Sequence, residues 1–300
     1  MPRLFCFGLG FSALTLARRC LAEGWAVAGT TRTAEKRDRL AAEGIEAFLF
    51  DRDRPLDDPH AALAGTTHLL ASVPPDAAGD PVLDHHRADL AALDGRVAWA
   101  GYLSTTGVYG DRDGGAVDET GALEPATERG RRRAAAEEGW LALWREAGLP
   151  VHLFRLAGIY GPGRNALETV RQGRARRIVK PGQVFSRIHV DDIATILEAS
   201  MDRPAPGRAY NCCDDEAAPP QDVIAHACRL LGVEPPPEIP FEAAELSPMA
   251  RSFYAESKRV VNDRIKAELG VRLAYPTYRE GLAVLLAAMM DSGDGAPISR

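Results

Sequence analysis

Short apolar runs alternate with amphipathic stretches over about the first 160 residues of the chain. Runs such as LFCFGL, WAVAGTT and VHLFRLA are apolar throughout, and the stretches between them carry apolar residues at helical spacing. Strands buried on both faces and separated by helices are typical of a parallel sheet with right-handed crossovers. The pattern therefore predicts an α/β fold, a doubly wound parallel sheet of the Rossmann type.

The alternation weakens after Pro162, where prolines mark turns between shorter elements. We assign residues 1–163 to a Rossmann domain, 164–290 to a smaller C-terminal α+β lobe that holds the substrate, and 291–300 to a tail. The chain is expected to cross back into the Rossmann domain near residues 183–215. Four helices are predicted in this second part: Ile193–Met201, Gln221–Leu231, Ser257–Leu269 and Tyr278–Met290.

Composition narrows the classes of function. The 300 residues are 46% hydrophobic, enough to bury a large core, and they carry a formal net charge of −6. An acidic chain lacks the basic surface that non-specific nucleic-acid binding needs, so no nucleic-acid partner is expected. No apolar run is long enough to cross a bilayer, and the five cysteines, which contain no C-x-x-C pair, indicate reduced thiols. We therefore expect a cytoplasmic protein without a membrane partner.

A glycine-rich loop, Gly8-Leu-Gly10-Phe-Ser-Ala13, follows the first apolar run. Gly8 would permit a tight turn, and Gly10 would let the backbone approach a pyrophosphate. The helix that follows would direct free N–H groups at the phosphates. Because the loop stands between a strand and a helix, it predicts a dinucleotide site that includes Gly8, Gly10, Phe11 and Ser12.

The end of the second apolar run, Thr31-Arg32, bears on the choice of cofactor. NAD-specific sites usually place an acid here for the ribose 2′-hydroxyl, whereas Arg32, with Lys36 one turn on, favours a 2′-phosphate. NADP(H) is therefore preferred. NAD(H) stays open, because Arg32 can instead begin a solvated helix or stack on the adenine of either cofactor. Asp51 is placed to contact the adenine amine, and Ser72-Val73-Pro74 to lie under the cofactor.

Later segments carry a family resemblance: STTGVYG, RLAGIYGPG, RIHVDDIA and ESKR stand in this order. With the glycine loop, they make the chain resemble the extended short-chain dehydrogenases/reductases, the NAD-dependent epimerase/dehydratase group. The resemblance implies an NAD(P)-dependent oxidoreductase or epimerase, with Gly158 and Ile159 beside the cofactor. Family members often dimerise through helices equivalent to His85–Leu93 and Arg131–Trp144, so a homodimer stays open. His85 and His86 would face different sides of their helix, and no metal site is expected.

Two departures indicate an atypical branch of that family. Family members use the Tyr of a Y-x-x-x-K motif as proton donor, and alignment puts Arg129 at the Tyr position and Arg133 at the Lys position. Arginine stays charged at physiological pH and cannot serve as a general acid or base. Phe7 also replaces the first glycine of the usual G-x-x-G-x-x-G loop. Thr105, in contrast, matches the residue that orients the substrate oxygen.

The two arginines nevertheless belong to the predicted site. Arg129 and Arg133 are four residues apart, on the helical stripe that faces the sheet. We expect one of them to bind a phosphate or carboxylate of the cofactor or of a small anionic substrate. In the alternative, surface carboxylates pair with them: Glu124, Glu128, Glu137 and Glu138. Tyr109 and Tyr160 are the remaining candidates for the group that carries the proton, with Tyr109 preferred, and in the alternative each is a packing or cofactor contact.

Two functions stay open at this point. In the first, which we favour, the chain is an NADP(H)-dependent reductase or epimerase of a small anionic metabolite. In the second, it is a catalytically inactive protein that senses NADP(H) or a metabolite, and the missing Tyr and Lys support this. A closed pocket over the nicotinamide with a tyrosine hydroxyl in reach would favour catalysis, and an apolar plug would favour sensing.

Overall fold

The structure, a computed structural model, describes residues 1–93 and 95–291. The strands in chain order are β1 (Arg3–Phe7), β2 (Ala26–Thr31), β3 (Glu46–Leu49), β4 (His68–Ala71), β5 (Trp99–Thr105), β6 (Ala116–Val117), β7 (Val151–Leu156), β8 (Gly158–Tyr160), β9 (Arg177–Val179), β10 (Arg187–His189), β11 (Ala209–Cys212), β12 (Glu238–Pro240) and β13 (Arg259–Val260). The helices are α1 (Phe11–Ala22), α2 (Ala34–Ala42), α3 (Pro59–Leu63), α4 (Pro81–Ala91), α5 (Glu128–Ala147), α6 (Ala166–Arg171), α7 (Val190–Asp202), α8 (Pro220–Leu231), α9 (Pro248–Phe253), α10 (Asp263–Leu269) and α11 (Tyr278–Asp291).

Seven strands form one sheet in the order β11-β7-β5-β4-β1-β2-β3, and all of its pairings are parallel. The direction in which successive strands are added reverses between β1 and β4, and the glycine loop follows the carboxyl end of β1. Open parallel sheets bind ligands at such a switch point. The prediction of a doubly wound, Rossmann-type α/β fold is confirmed.

Two apolar cores cover the two faces of this sheet. Leu4 and Cys6 of β1 enter one core, and Phe5 and Phe7 enter the other, because successive strand residues point to opposite faces. Side chains of α1 and α7 close the first core, and side chains of α4 and α5 close the second. Both layers of helices are thus anchored through the strand that precedes the glycine loop.

The second part of the chain contributes to the main sheet as well as to a separate cluster. β11 pairs with β7, and α7 packs against α1, in the stretch where the sequence predicts a return to the Rossmann domain. A smaller apolar cluster joins α6, α8 and α11 through Leu167, Val223 and Leu282. The assignment of a domain boundary at residues 163/164 stays a prediction.

Three of the four helices predicted for this part are present as α7, α8 and α11. The predicted helix Ser257–Leu269 is wrong in its first half, where Arg259–Val260 form β13 and pair with β6. The carbonyl of Ser257 accepts N–H groups from Arg112 and Gly114, so these backbone groups are satisfied by a distant segment and no helix forms there. The predicted tail lies outside the described residues, except for Asp291, which ends α11.

Within the described part of the chain, no helix combines the length and the hydropathy that a membrane span requires. The same residues contain no grouping of three or more His, Cys, Asp and Glu side chains that could hold a metal ion. All five cysteines are buried and free.

Candidate functional site

The glycine loop makes a tight turn between β1 and α1. Gly8 has a φ of +85°, a conformation that favours glycine, and its N–H donates to Thr30 Oγ1 at 2.8 Å. The hydroxyl of Ser72 donates to the Gly8 carbonyl. A Cβ on Gly8 would meet Ser72 and Val73 at 3.0 Å. The loop is therefore fixed against the ends of both neighbouring strands, β2 and β4.

Gly10 leaves open space at the start of α1. Its φ of −82° is accessible to any residue, and a Cβ placed there would meet no atom of the described chain within 4 Å. Gly10 is the N-cap of α1 and offers no side-chain cap to the first N–H groups of the helix. Such N–H groups beside open space suit an anion. The loop therefore fits the pyrophosphate of a dinucleotide.

A cavity of about 990 Å³ begins at this loop. It brings together most of the residues predicted for the site: Gly10, Phe11, Ser12, Ser72, Pro74, Thr105, Arg129, Arg133, Gly158 and Ile159. Other predicted residues are not on its walls: Gly8, Thr31, Arg32, Asp51, Val73 and Tyr109. Residues far apart in the sequence thus meet at the carboxyl edge of the sheet.

Basic side chains surround the loop on the side of β2. The ammonium group of Lys36 donates to the Leu9 carbonyl at 2.6 Å, and partial burial, together with neighbouring arginines, lowers the pKa of Lys36. In the described part of the chain, the Arg32 guanidinium makes neither a hydrogen bond nor an ion pair. Asp51 is already bound by Arg54, whose Nη2 lies 2.6 Å from its Oδ2. The expected contact of Asp51 with adenine would compete with this ion pair.

Tyr109 lies beneath the cavity rather than on its wall. Its buried hydroxyl donates to Asn211 Oδ1 at 2.7 Å and accepts from Arg155 Nη1 at 2.9 Å. Burial raises the pKa of Tyr109 to about 12. This geometry does not favour Tyr109 as the proton carrier, because its hydroxyl is engaged in this network and Tyr109 is not among the residues that line the cavity, and the assignment stays a prediction. Thr105 does reach the wall, and its Oγ1 accepts the Gly107 N–H at 3.2 Å.

The four arginines that begin α5 fall into two groups. Arg131 and Arg132 pair with Glu128 at the surface, at 2.8 and 3.1 Å. Arg133 donates to the Leu103 carbonyl at 2.7 Å, and its buried Nε has no hydrogen-bond partner among the described residues. Arg133 is thus fixed to β5 through its Nη1, while its Nε–H stays free within the described residues.

Arg129 reaches the cavity beside an aromatic ring. Its guanidinium carbon lies 4.7 Å from the centroid of the Phe253 ring, and it makes no hydrogen bond or ion pair within the described chain. The other proposed glutamate partners pair elsewhere: Glu124 with Arg112, Glu137 with Arg155 and Glu138 with Arg145. The alternative that glutamates neutralise Arg129 and Arg133 is therefore wrong, although it holds for Arg131 and Arg132.

The cavity is strongly cationic in an acidic protein. Among the described residues, its walls carry five cationic side chains and one carboxylate: Arg129, Arg133, Arg164, Arg187, Lys258 and Glu256. The chain as a whole carries a formal charge of −6. Concentrated positive charge in a cleft raises the local concentration of anions. The arrangement suits an anionic ligand in addition to the phosphates of a dinucleotide.

The end of α9 and the segment that follows it supply wall residues that were not predicted from the sequence. Phe253, Tyr254, Glu256 and Lys258 all line the cavity. The ESKR motif was the available signal, but a helix was predicted to begin at Ser257. The approach of this segment to the sheet edge depends on contacts with residues 111–115, which no local pattern reveals.

Comparison with known proteins places the chain in a family. A model of the NAD dependent epimerase/dehydratase family matches residues 87–213. Protein YeeZ of Escherichia coli (strain K12) is 30% identical over 289 residues, which cover 92% of this chain and 97% of that protein. The chain belongs to the NAD-dependent epimerase/dehydratase family. It is accordingly a member of the extended short-chain dehydrogenase/reductase superfamily, as its motifs predicted.

Solved structures share the fold of this chain. A functionally unknown conserved protein from Silicibacter pomeroyi DSS is 52% identical, with a TM-score of 0.88 over 96% of this chain and 99% of that chain. The dTDP-glucose 4,6-dehydratase of Bacillus anthracis str. Ames, solved in complex with NAD, is 14% identical, with a TM-score of 0.76 over 98% of each chain. At that identity the second likeness supports the fold alone.

Proposed function

We propose that the protein is an NADP(H)-preferring oxidoreductase or epimerase that acts on a small anionic metabolite. The observation that carries the proposal is the single cavity that joins the glycine loop to a cationic wall. When bound, the dinucleotide supplies or accepts a hydride at its nicotinamide ring. The dTDP-glucose 4,6-dehydratase that was solved with NAD supports a nicotinamide dinucleotide in general, and the preference for NADP(H) rests on residues of this chain.

Separate groups of wall residues would hold the two ligands. The N–H groups at the start of α1 would bind the pyrophosphate beside Gly10, and Ser72 and Gly158 would lie along the rest of the cofactor. Arg129 would bind the anionic group of the substrate, because its guanidinium makes no hydrogen bond or ion pair in the described chain and interacts only at longer range with Glu256. Thr105 would orient the substrate oxygen.

The basic cluster beside β2 supports the preference for NADP(H). Arg32 and Lys36 stand where an NAD-specific site usually has an acid, and the Arg32 guanidinium is free of hydrogen bonds within the described residues. Two cations here suit the 2′-phosphate of NADP(H). A cytoplasmic location also belongs to the proposal, and the five free cysteines support it. A homodimer stays a prediction.

A second candidate is a catalytically inactive protein that senses NADP(H) or a metabolite. Arg129 and Arg133 at the positions of the family's Tyr and Lys favour it, and so does the burial of the Tyr109 hydroxyl. Both candidates require the dinucleotide to bind at the glycine loop. Only the first requires hydride transfer.

Filling the space beside Gly10 tests the binding site shared by the two candidates. Gly10→Val should weaken NADPH binding at least about 10-fold, because the new side chain takes the space of the pyrophosphate. The variant should stay as stable as wild type, since a Cβ there meets no atom of the described chain. Ala41→Val, on the exposed face of α2, is the control, and titration of intrinsic fluorescence measures the Kd. Unchanged NADPH affinity in Gly10→Val would contradict the proposed site, and tighter binding of NADH than NADPH would contradict the cofactor preference.

A further inference from the structure

One wall of the cavity carries a buried lysine. Lys258 is 8% exposed, and its Nζ lies 2.6 Å from Glu256 Oε2. We propose that Lys258 holds and delivers the proton of the reaction in this cavity, in place of the family's tyrosine, and that Glu256 positions its ammonium group. The inference rests on the proposed oxidoreductase function. It moves the proton-carrying group from α5 to residues 256–258, the segment that leads into β13.

The main chain around Lys258 is fixed on both sides. The N–H groups of Arg112 and Gly114 donate to the Ser257 carbonyl at 3.0 and 2.9 Å. On the other side, the N–H of Val260 donates to Ser186 Oγ at 3.0 Å. The long, flexible side chain of Lys258 thus extends from a main-chain segment that hydrogen bonds hold in place. Such support is what a residue that must meet a substrate atom requires.

The lysine and its carboxylate partner retain hydrogen-bonding capacity toward the cavity. An ammonium group has three donors, and the described residues provide Lys258 with one acceptor, Glu256 Oε2. The second oxygen of Glu256 is buried and has no hydrogen-bond partner there. Buried polar atoms are nearly always paired in a complete structure. A ligand oxygen at Lys258 and a ligand hydroxyl at Glu256 would complete both groups.

The other titratable side chains on the described cavity wall are less suited to carry the proton. The arginines stay charged. The Tyr160 hydroxyl faces α11, because a Cβ on Gly281 would lie 2.1 Å from it. The ring of Tyr254 packs against Phe185 and Phe241, with centroids 5.6 and 5.1 Å away. Tyr254 remains the competitor that an experiment must exclude.

The proposed step balances in atoms and charge. In the direction of reduction, a substrate carbonyl carbon gains the hydride that the dinucleotide supplies. The carbonyl oxygen gains a proton from Lys258 Nζ, so that one N–H bond breaks and one O–H bond forms. The neutral amine then regains a proton from solvent, so that the complete reduction consumes one hydride and one solvent proton. In the direction of oxidation, the amine accepts the hydroxyl proton.

The test is a single-turnover transfer of deuterium from [4-²H]NADPH to a panel of 2-oxo acids and phosphorylated aldehydes, compared among lysine variants. Lys258→Met and Lys258→Arg should both lose about 100-fold or more in rate, since a general acid contributes at least that much. Lys258→Arg is decisive, because arginine keeps the charge but does not release a proton. The matched control is Lys266→Met: its Nζ is also 2.6 Å from a carboxylate, Asp215, but the side chain is 38% exposed and off the cavity wall.

A second readout does not depend on turnover. Acetylation of lysines by acetic anhydride, followed by peptide mass spectrometry, reports access to each Nζ. NADP⁺ at saturation should slow acetylation of Lys258, because both are expected in one cavity, and Glu256→Gln should accelerate it by releasing the ammonium group. Lys266 should respond to neither. Acetylation of Lys258 that is indifferent to both changes would overturn the inference.

The outcomes separate this inference from the proposed function. Wild-type protein that transfers no deuterium to any compound overturns the proposed function, and this inference with it. Wild-type transfer that persists at the same rate in Lys258→Arg overturns the proton role of Lys258 alone. Loss of transfer in Tyr254→Phe with normal transfer in Lys258→Met would assign the proton to Tyr254 instead.

Discussion

Breaking the buried ion pair between Glu137 and Arg155 should destabilise the fold far more than breaking an exposed pair on the same helix. The two side chains are 3% and 7% exposed, and Arg155 Nη2 lies 2.8 Å from Glu137 Oε2. The hydroxyl of Ser104 donates to Glu137 at 2.5 Å, and Arg155 also donates to Tyr109 at 2.9 Å. This network attaches α5, and with it Arg129, to the strands beneath the cavity.

The expected magnitude follows from the burial of both charges. Glu137→Gln or Arg155→Met leaves a buried charge without its partner, which costs about 3–5 kcal/mol. For a chain of 300 residues, that lowers Tm by roughly 5–8 °C. Replacing both partners at once, as Glu137→Gln with Arg155→Met, should cost less than the two single changes together, because no unpaired charge remains.

Urea unfolding followed by circular dichroism measures the free energies for this double-mutant cycle. The matched control is the Arg145–Glu138 pair, also on α5, whose side chains are 48% and 68% exposed. Its loss should cost less than about 1 kcal/mol. A cost below about 1 kcal/mol for Glu137→Gln, or strictly additive effects in the Glu137–Arg155 cycle, would refute this reasoning.

Three further predictions concern the cofactor, the substrate and pH. Arg32→Glu should weaken NADPH binding by about 10-fold or more while leaving NADH binding nearly unchanged, since a charge-assisted hydrogen bond contributes about 1.5–3 kcal/mol; equal losses for both cofactors in calorimetric titrations would place Arg32 away from the 2′-phosphate. Arg129→Ala should raise the KM of the substrate by about 10-fold without changing Tm, whereas Arg131→Ala, which removes a surface ion pair, should change neither. Burial lowers the pKa of His152 to about 4, so the imidazole binds a proton near pH 6.5 in the unfolded chain but only near pH 4 in the folded protein. The stability that His152 contributes is complete above about pH 6.5 and falls by about 3 kcal/mol as pH drops to 4; His152→Gln should flatten this part of the curve, and an unchanged slope of unfolding free energy against pH would contradict the assignment.

The fold could be predicted from local patterns of apolar and polar residues, because its main sheet is built from consecutive strand and helix units. The apolar runs around Leu4, Val27 and Val151 are buried on both faces, and such strands leave few arrangements besides a parallel sheet. The glycine loop was equally readable, since Gly8 needs a positive φ whatever the distant context.

The parts of the site that were missed depend on contacts between distant segments. Tyr109 lies in a segment whose backbone position was predicted, but its hydroxyl turns toward Arg155 and Asn211, partners that no spacing rule indicates. Lys258 was placed in a helix because the residues around it suit one. Its true position depends on backbone hydrogen bonds with residues 111–115, more than 140 positions away.

The prediction that Arg129 and Arg133 belong to the site needed both the sequence and the structure. Helical spacing indicated that Arg129 and Arg133 share a face directed at the sheet, and both line the cavity. Sequence alone left open whether glutamates neutralise them, because the partner of each glutamate depends on side-chain geometry. The structure resolved this by pairing Glu137 with Arg155, a residue of β7.

The most direct test of catalysis is to incubate the purified protein with [4-²H]NADPH and a cell-metabolite extract, and to follow deuterium by mass spectrometry. The proposed function predicts that an anionic metabolite gains deuterium with the wild-type protein and not with heat-denatured protein. No deuterium in any metabolite, with NADPH binding confirmed on the same sample, would contradict the proposed catalytic function and favour the catalytically inactive sensor.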